Sequence, residues 1–240
     1  MSLTFDPAAA VTDELPKIPW IVNDSAWTKF ASDVSATAYA LSAKLSLSTT
    51  LLAISLVSVP WDFALNAPNL IANYPTGREW FNLYPNNIYI SDAGPEEIEI
   101  VRSEIRISTK KIFNSINIIK DKYKLKFSDC FVVGFSQGGM MTFELGDYSE
   151  EQLGGLAILS GRIMTNEPPT NLKFLKTPLF ISHGDNDDVL NIDNFYSSCN
   201  YLKENNFFFE KHLLEGDSHT ISSKAINLLQ KFIKKNLWSI

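Results

Sequence analysis

From residue 95 onward, the apolar positions of the chain follow two alternating periods. Over residues 95–124, apolar side chains recur at helical spacing after a proline and two acidic residues and before a basic run. Short apolar runs predict buried strands at 130–133, 156–160 and 178–182, and a further strand is predicted at 207–214. Helical patterns occupy 137–145, 191–205 and 220–236. Strands that alternate with helices predict an α/β fold, a mostly parallel sheet with helices on both faces.

The first 60 residues give weaker patterns. Residues 28–44 predict a helix, and residues 51–59 fit either a strand or a buried helix, so the N-terminal strands of the sheet stay open. The 11 glycines begin only at Gly77, whereas average usage would place about five in the first 76 residues. We therefore separate an atypical segment, residues 1–60, from the α/β unit at 61–240, within one domain overall.

Composition narrows the class of protein. The 240 residues carry a net charge of −6, which speaks against a nucleic-acid partner because phosphate contacts need a basic face. The longest uncharged stretch, residues 45–61, is shorter than the roughly 20 residues that span a bilayer, and the first residues lack the features of a secretory signal. Two cysteines make no disulfide framework, so we expect a reduced, cytoplasmic protein.

A serine between glycines stands where a predicted strand meets a predicted helix. Ser136 lies between Gly134 and Gly138, directly after the strand at 130–133. Glycines at this spacing leave room for a sharp turn that lifts the hydroxyl clear of the sheet. The backbone N–H of Gln137, at the start of the helix, would then face a developing oxyanion. The alternative is a tight glycine turn with an incidental serine.

Acidic residues cluster after the strand at 178–182. Asp185, Asp187 and Asp188 share one loop, which favours a carboxylate that holds a catalytic histidine, although a solvated turn is the simpler explanation. In α/β folds that carry a catalytic serine on such a turn, the serine, the carboxylate and the histidine follow one another along the chain in the order Ser, Asp, His.

Three histidines are candidates for the base. His219 lies in the loop after the strand at 207–214, where the base would be expected. His183 stands beside the acidic cluster and is interpreted as a structural hydrogen-bonding residue, and His212 falls within a strand. Position and elimination therefore favour His219.

Three motifs together resemble one family. Gly-Phe-Ser-Gln-Gly-Gly at 134–139, His-Gly-Asp-Asn-Asp-Asp-Val at 183–189 and Gly-Asp-Ser-His at 216–219 are similar to those of the phospholipase/carboxylesterase family, which includes the acyl-protein thioesterases and has the α/β-hydrolase fold. An Ala-Pro and an Arg/Trp pair within residues 66–81 extend the resemblance, which covers about residues 61–240.

The resemblance implies a serine carboxylic-ester hydrolase that works through an acyl-serine intermediate without a metal or organic cofactor. Ser136 would be the nucleophile, Asp187 the acid and His219 the general base, with Asp185 and Asp188 as neighbours without a catalytic role. The expected partner is a small-molecule or lipid ester or thioester, and a homodimer is a further candidate assembly. Two more side chains have either a place at the acyl site or a core role: Trp80 and Met140.

One expected feature of the family is missing. The family's first core strand ends in a His-Gly-x-Gly loop that supplies the second oxyanion donor, but the corresponding stretch, residues 27–42, contains neither histidine nor glycine. Loss of one such donor slows a hydrolase about a hundred- to a thousandfold. Three explanations are open: a donor from unrelated residues, a non-catalytic relative, or a shifted reading frame over residues 1–60.

Two other functions therefore compete with a working esterase. The first is a catalytically impaired or inactive relative that binds acyl ligands. The second is a metal-dependent hydrolase built on His183, Asp185 and Asp187, whose residue types are those of metal ligands.

Overall fold

The computed structural model describes residues 52–57, 69–71 and 74–237, with side chains described over 79–236 apart from residues 119, 122 and 123. In chain order the elements are β1 (Leu52–Val57), β2 (Asn69–Ile71), β3 (Tyr74–Glu79), α1 (Pro95–Tyr123), β4 (Cys130–Phe135), α2 (Gln137–Tyr148), β5 (Gly155–Leu159), α3 (Leu172–Lys176), β6 (Leu179–Gly184), α4 (Asp193–Glu204), β7 (Phe209–Leu214) and α5 (Ser223–Leu237), with 3₁₀ turns at Pro85–Asn87 and Phe127–Asp129.

Among the described residues, five parallel strands form the main sheet in the order β1-β4-β5-β6-β7, and β2 and β3 form a separate antiparallel pair. The predicted α/β class with a parallel sheet is therefore confirmed. Residues 52–57, which the sequence left as strand or helix, form a strand whose whole length pairs with β4. The sheet thus begins within the segment 1–60, while the predicted helix at 28–44 lies outside the described residues.

The central strands are buried on both faces, as their unbroken apolar runs predict. Phe131, Val133 and Phe180 point to one side, where they pack with Leu229 and Phe232 of α5. The alternate residues of the same strands point to the opposite side and join the larger core with α1, α2 and α4. Successive side chains of a strand face opposite ways, so one continuous apolar run supplies both cores.

The predicted end of α2 was wrong. The helical pattern covers residues 137–145 and is followed by Gly146, a common helix stop, but the helix continues to Tyr148 and is capped at Ser149. A β-carbon at position 146 would come within 2.5 Å of Leu156 and would collide with the ring of Phe174. Gly146 therefore serves close packing of the helix against β5 and α3 rather than helix termination.

Two elements had no clear sequence signal. The β2–β3 pair contains Pro75 and Gly77 and lacks strict alternation, and α3 has only five residues. Within the described residues, none of the helices has both the length and the apolar character needed to cross a bilayer.

Candidate active site

Ser136 occupies the turn between β4 and α2. Its backbone has φ 54° and ψ −123°, a conformation that non-glycine residues rarely adopt and that costs on the order of 1–3 kcal/mol. Its N–H donates to the carbonyl of Leu159 at 2.8 Å, which ties the turn to the end of β5. The surrounding structure therefore holds the serine in a strained position at the carboxyl end of the sheet, where such folds bind ligands.

Gly134 makes this turn possible. A β-carbon there would overlap the backbone carbonyl of Gly138 and the hydroxyl oxygen of Thr142. That carbonyl also accepts the Thr142 hydroxyl at 2.9 Å, so the two obstructing groups are joined within α2. Because the obstructing atoms are largely backbone, a larger residue cannot be accommodated by rotating a side chain.

The side chain of Gln137 clamps a neighbouring loop. Its Oε1 accepts the N–H of Trp80 at 2.9 Å, and its Nε2 donates to the carbonyl of Phe81 at 2.8 Å, with the side chain almost completely buried. The hydroxyl of Ser108, on α1, donates to the carbonyl of Trp80 at 2.6 Å. Sequence reasoning missed these contacts, because Ser108 lies 28 residues from its partner and no local pattern marks it.

The carboxylate of Asp187 is buried and surrounded by N–H groups. Its Oδ1 accepts the backbone N–H of Val189 at 3.0 Å and of Leu190 at 2.8 Å. Its Oδ2 lies 2.7 Å from Nδ1 of His219. Burial alone would raise the pKa of Asp187, but the hydrogen bond from His219 and those from Leu190 and Val189 lower it below its ordinary value. The group is therefore a carboxylate at neutral pH.

His219 connects this carboxylate to the serine. Its Nε2 lies 3.0 Å from Oγ of Ser136, across 83 residues of sequence. Because the Asp187 carboxylate is an acceptor, Nδ1 of a neutral His219 carries the proton and Nε2 is left free to accept from the hydroxyl. The ring packs 4.7 Å from that of Phe135, centroid to centroid. The three side chains named from the motifs thus form one hydrogen-bonded line.

The remaining sequence candidates lie elsewhere. Asp185 accepts the backbone N–H of Gly216 at 2.7 Å, which joins its loop to the loop that carries His219, and Asp188 is exposed. Trp80 and Met140, with 6% and 2% exposure, belong to the buried core. His212 is partly exposed on β7, beside Phe180.

His183 is completely buried at the end of β6. Its Nε2 lies 2.8 Å from the carbonyl of Leu190 and 3.3 Å from Oδ2 of Asp187. Its Nδ1 is buried without a hydrogen-bond partner, an arrangement that costs about 1–3 kcal/mol. Across the described part of the chain, no three His, Cys, Asp or Glu side chains converge so as to hold a metal ion. Asp185 and Asp187 bind different partners, which does not fit the metal-dependent alternative.

A parallel sheet with helices on both faces, and a serine on a sharp strand-to-helix turn followed along the chain by aspartate and histidine, defines the α/β-hydrolase class. Within that class, the chain belongs to the phospholipase/carboxylesterase family, whose model matches residues 58–237.

Relatives support this membership. The chain is 31% identical over 112 residues to carboxylesterase SOBER1 from Arabidopsis thaliana, covering 45% of this chain and 48% of that protein. It is also 31% identical over 140 residues to acyl-protein thioesterase 1 from Emericella nidulans, covering 54% of this chain and 56% of that protein. The chain thus spans about half the length of these two curated relatives.

Solved structures share the fold. The crystal structure of Arabidopsis thaliana SOBER1 superposes with a TM-score of 0.61 at 21% identity, covering 78% of this chain and 99% of that one. The Bacillus cereus carboxylesterase gives a TM-score of 0.58 at 13% identity, covering 78% and 88%.

Proposed function

We propose that this protein is a serine hydrolase of carboxylic esters or thioesters, with Ser136 as nucleophile, His219 as general base and Asp187 as the acid that orients it. The hydrogen-bonded line from Asp187 through His219 to the Ser136 hydroxyl carries the proposal. Membership of the phospholipase/carboxylesterase family supports the reaction type.

The geometry supports a two-step acyl transfer. Oγ of Ser136 attacks the substrate's carbonyl carbon while its proton passes to Nε2 of His219. The tetrahedral intermediate collapses, and the leaving alcohol or thiol takes that proton. Water then attacks the acyl-serine ester by the same route and returns the proton to Ser136. The Asp187 carboxylate stabilises the imidazolium of His219 in both steps and stays ionised throughout.

The backbone N–H of Gln137 is one donor of the oxyanion hole in this proposal. It follows the nucleophile at the start of α2, where the peptide N–H groups point toward developing negative charge. The buried clamp from the Gln137 side chain to Trp80 and Phe81 keeps that peptide fixed. The family draws its second donor from the loop after its first core strand, and the corresponding residues, 27–42, lie outside the described part of the chain.

A fluorophosphonate probe tests the nucleophile directly. The wild-type chain should gain one phosphonyl group, located by peptide mass spectrometry on Ser136, and Ser136→Ala should gain none. Ser160→Ala is a matched control, because Ser160 also follows a sheet strand and has a positive φ of 45° but lies outside the hydrogen-bonded line. Failure of the folded wild-type protein to react at high probe concentration would refute the proposal.

The second candidate is an impaired relative that binds acyl ligands without turnover. The absence of glycine and histidine from residues 27–42 favours it, because half of the oxyanion hole would lack its usual source. Rates of p-nitrophenyl ester and acyl-thioester hydrolysis separate the two candidates. A labelled Ser136 with no turnover, followed by a large gain when a His-Gly-x-Gly segment is restored, would establish the impaired relative.

The proposal also includes the cellular location, the domain division and the oligomeric state of the protein. A cytoplasmic location is supported by Cys130 and Cys199, which are both buried and unpaired. The division of the chain after residue 60 has support from the family match, which begins at residue 58, although β1 precedes it. The homodimer stays a prediction that light scattering can check.

A further inference from the structure

We infer that His183 is a positioning residue of the proposed reaction, which holds the Asp187 turn and offsets part of the carboxylate charge that faces His219. The inference rests on the proposed roles of Asp187 and His219. The observation behind it is a closed ring of contacts at the end of β6 that involves His183, Asp187 and Leu190.

The ring of contacts engages both backbone polar groups of Leu190. Leu190 donates its N–H to Oδ1 of Asp187 at 2.8 Å, and its carbonyl lies 2.8 Å from Nε2 of His183. The same Nε2 lies 3.3 Å from Oδ2 of Asp187, the oxygen that faces His219. The imidazole therefore holds the turn that aims the carboxylate and also brings a positive N–H edge close to the oxygen proposed to bind the base.

The tautomer of His183 follows from its partner. A carbonyl oxygen only accepts, so Nε2 carries the proton, and Nδ1 is left as a buried acceptor without a donor. Burial lowers the pKa of His183, although the Leu190 carbonyl and Asp187 act in the opposite direction, so the ring is neutral at neutral pH. The contacts that Nε2 of His183 makes with Leu190 and Asp187 explain why a histidine stands here although its Nδ1 has no donor.

Without His183 the carboxylate of Asp187 should be held less firmly, because the Leu190 carbonyl loses its partner although Val189 and Leu190 still donate to Oδ1. Its Oδ2 charge would also lose one compensating N–H and would favour the imidazolium of His219 more strongly. Among the described residues, the titratable groups that act on this site are Asp187, His219 and, from the loop before α1, Tyr89.

The variants His183→Phe and His183→Gln test the inference in the full-length chain. Phenylalanine fills the space without an N–H, whereas the glutamine amide can donate to the Leu190 carbonyl from nearly the position of Nε2. In p-nitrophenyl ester hydrolysis, we expect His183→Phe to lower kcat about tenfold to a hundredfold with little change in KM, because a small misplacement of a catalytic group costs up to about a hundredfold in rate. We also expect the acidic limb of the kcat/KM profile to move up by about half a pH unit. His183→Gln should recover most of both effects.

A purely structural role predicts a different result. Both variants would then lose thermal stability while the acidic limb stays at its wild-type pH. A folded His183→Phe with an unmoved or lowered acidic limb would overturn the inference, as would a His183→Gln no better than His183→Phe. His212→Gln is the matched control, because this histidine lies on β7 outside the ring of contacts.

A second measurement requires no catalysis. The chain contains three histidines, so long-range ¹H–¹⁵N spectra of histidine-labelled protein can assign each ring with the variants above. Because burial lowers its pKa, His183 should keep the neutral Nε2–H form from about pH 7 to pH 9. An Nδ1–H form, or titration within that range, would overturn the inference even if His183→Phe failed to fold. Failure of the probe to label Ser136 would instead refute the proposed function and leave this result standing.

Discussion

The turn that carries Ser136 and the loops that carry Asp187 and His219 are built by opposite means. The serine turn depends on close packing: its backbone is strained, and an added β-carbon at Gly134 would strike backbone atoms of α2. The two loops depend on polar contacts. Both carboxylate oxygens of Asp187 accept N–H groups, and so does Oδ1 of Asp185.

This difference separates stability from chemistry. Atoms in a packed turn cannot move without disturbing the sheet, so damage there should unfold the protein. Hydrogen-bond donors and acceptors on loops can be exchanged one at a time at little cost to packing, so damage there should remove activity first. Substitutions in the loops and in the packed turn should therefore have different effects.

Asp187→Asn should give the largest effect. Two backbone N–H groups require an acceptor at Oδ1, so the amide nitrogen would face His219 and place the ring proton on Nε2. That tautomer cannot accept the Ser136 proton, and we expect kcat to fall about ten-thousandfold. Steady-state kinetics measure the loss, and circular dichroism should show an unchanged fold.

Asp188→Asn is the matched control for this change, since its exposed side chain lies one residue further along the same loop. It should retain wild-type activity within about twofold. Equal losses in the two variants would mean that the acidic cluster acts through its overall charge rather than through one oriented carboxylate.

Gly134→Ala should instead destabilise the protein. The added methyl group overlaps the Gly138 carbonyl, so relief requires a shift of the backbone of β4 or α2. We expect the free energy of unfolding to fall by more than about 3 kcal/mol, measured by urea denaturation. Gly94→Ala is the control: its β-carbon would meet only the flexible carboxylate end of Glu97, at 3.2 Å, and should cost less than about 1 kcal/mol.

The same contrast explains what the sequence could predict. The serine turn is formed by residues that are close in sequence, so its glycines and the flanking apolar runs are enough to predict it. The acidic loop offered three carboxylates, and only the resemblance to a family selected Asp187 among them. The partners that hold Trp80 come from α1 and α2, 28 and 57 residues away, and no local period records such pairs. The catalytic roles themselves stay predictions.

Glu144, eight residues after Ser136 on α2, should make the free energy of unfolding depend on pH. Burial raises its pKa to about 7, with Asp147 adding to the rise and Arg102 opposing it. Because the folded state binds the Glu144 proton more tightly than the unfolded state, this proton stabilises the fold fully below about pH 4.5. That contribution is lost as the pH rises through about 7. Glu144→Gln should therefore gain about 1–2 kcal/mol relative to wild type at pH 8 and little at pH 4.5. An equal gain at both pH values would contradict this origin.

The smallest expected effect concerns the link between the two loops. Oδ1 of Asp185 accepts the N–H of Gly216 at 2.7 Å, three residues before His219, near the surface of the protein. Asp185→Ala removes the acceptor and should cost about 1 kcal/mol in unfolding free energy. It should also lower kcat/KM a few-fold, because the loop that carries His219 is held less firmly. Asp185→Asn keeps an oxygen at that position and should restore both values. If asparagine were no better than alanine, the carboxylate charge rather than the hydrogen bond would join the loops.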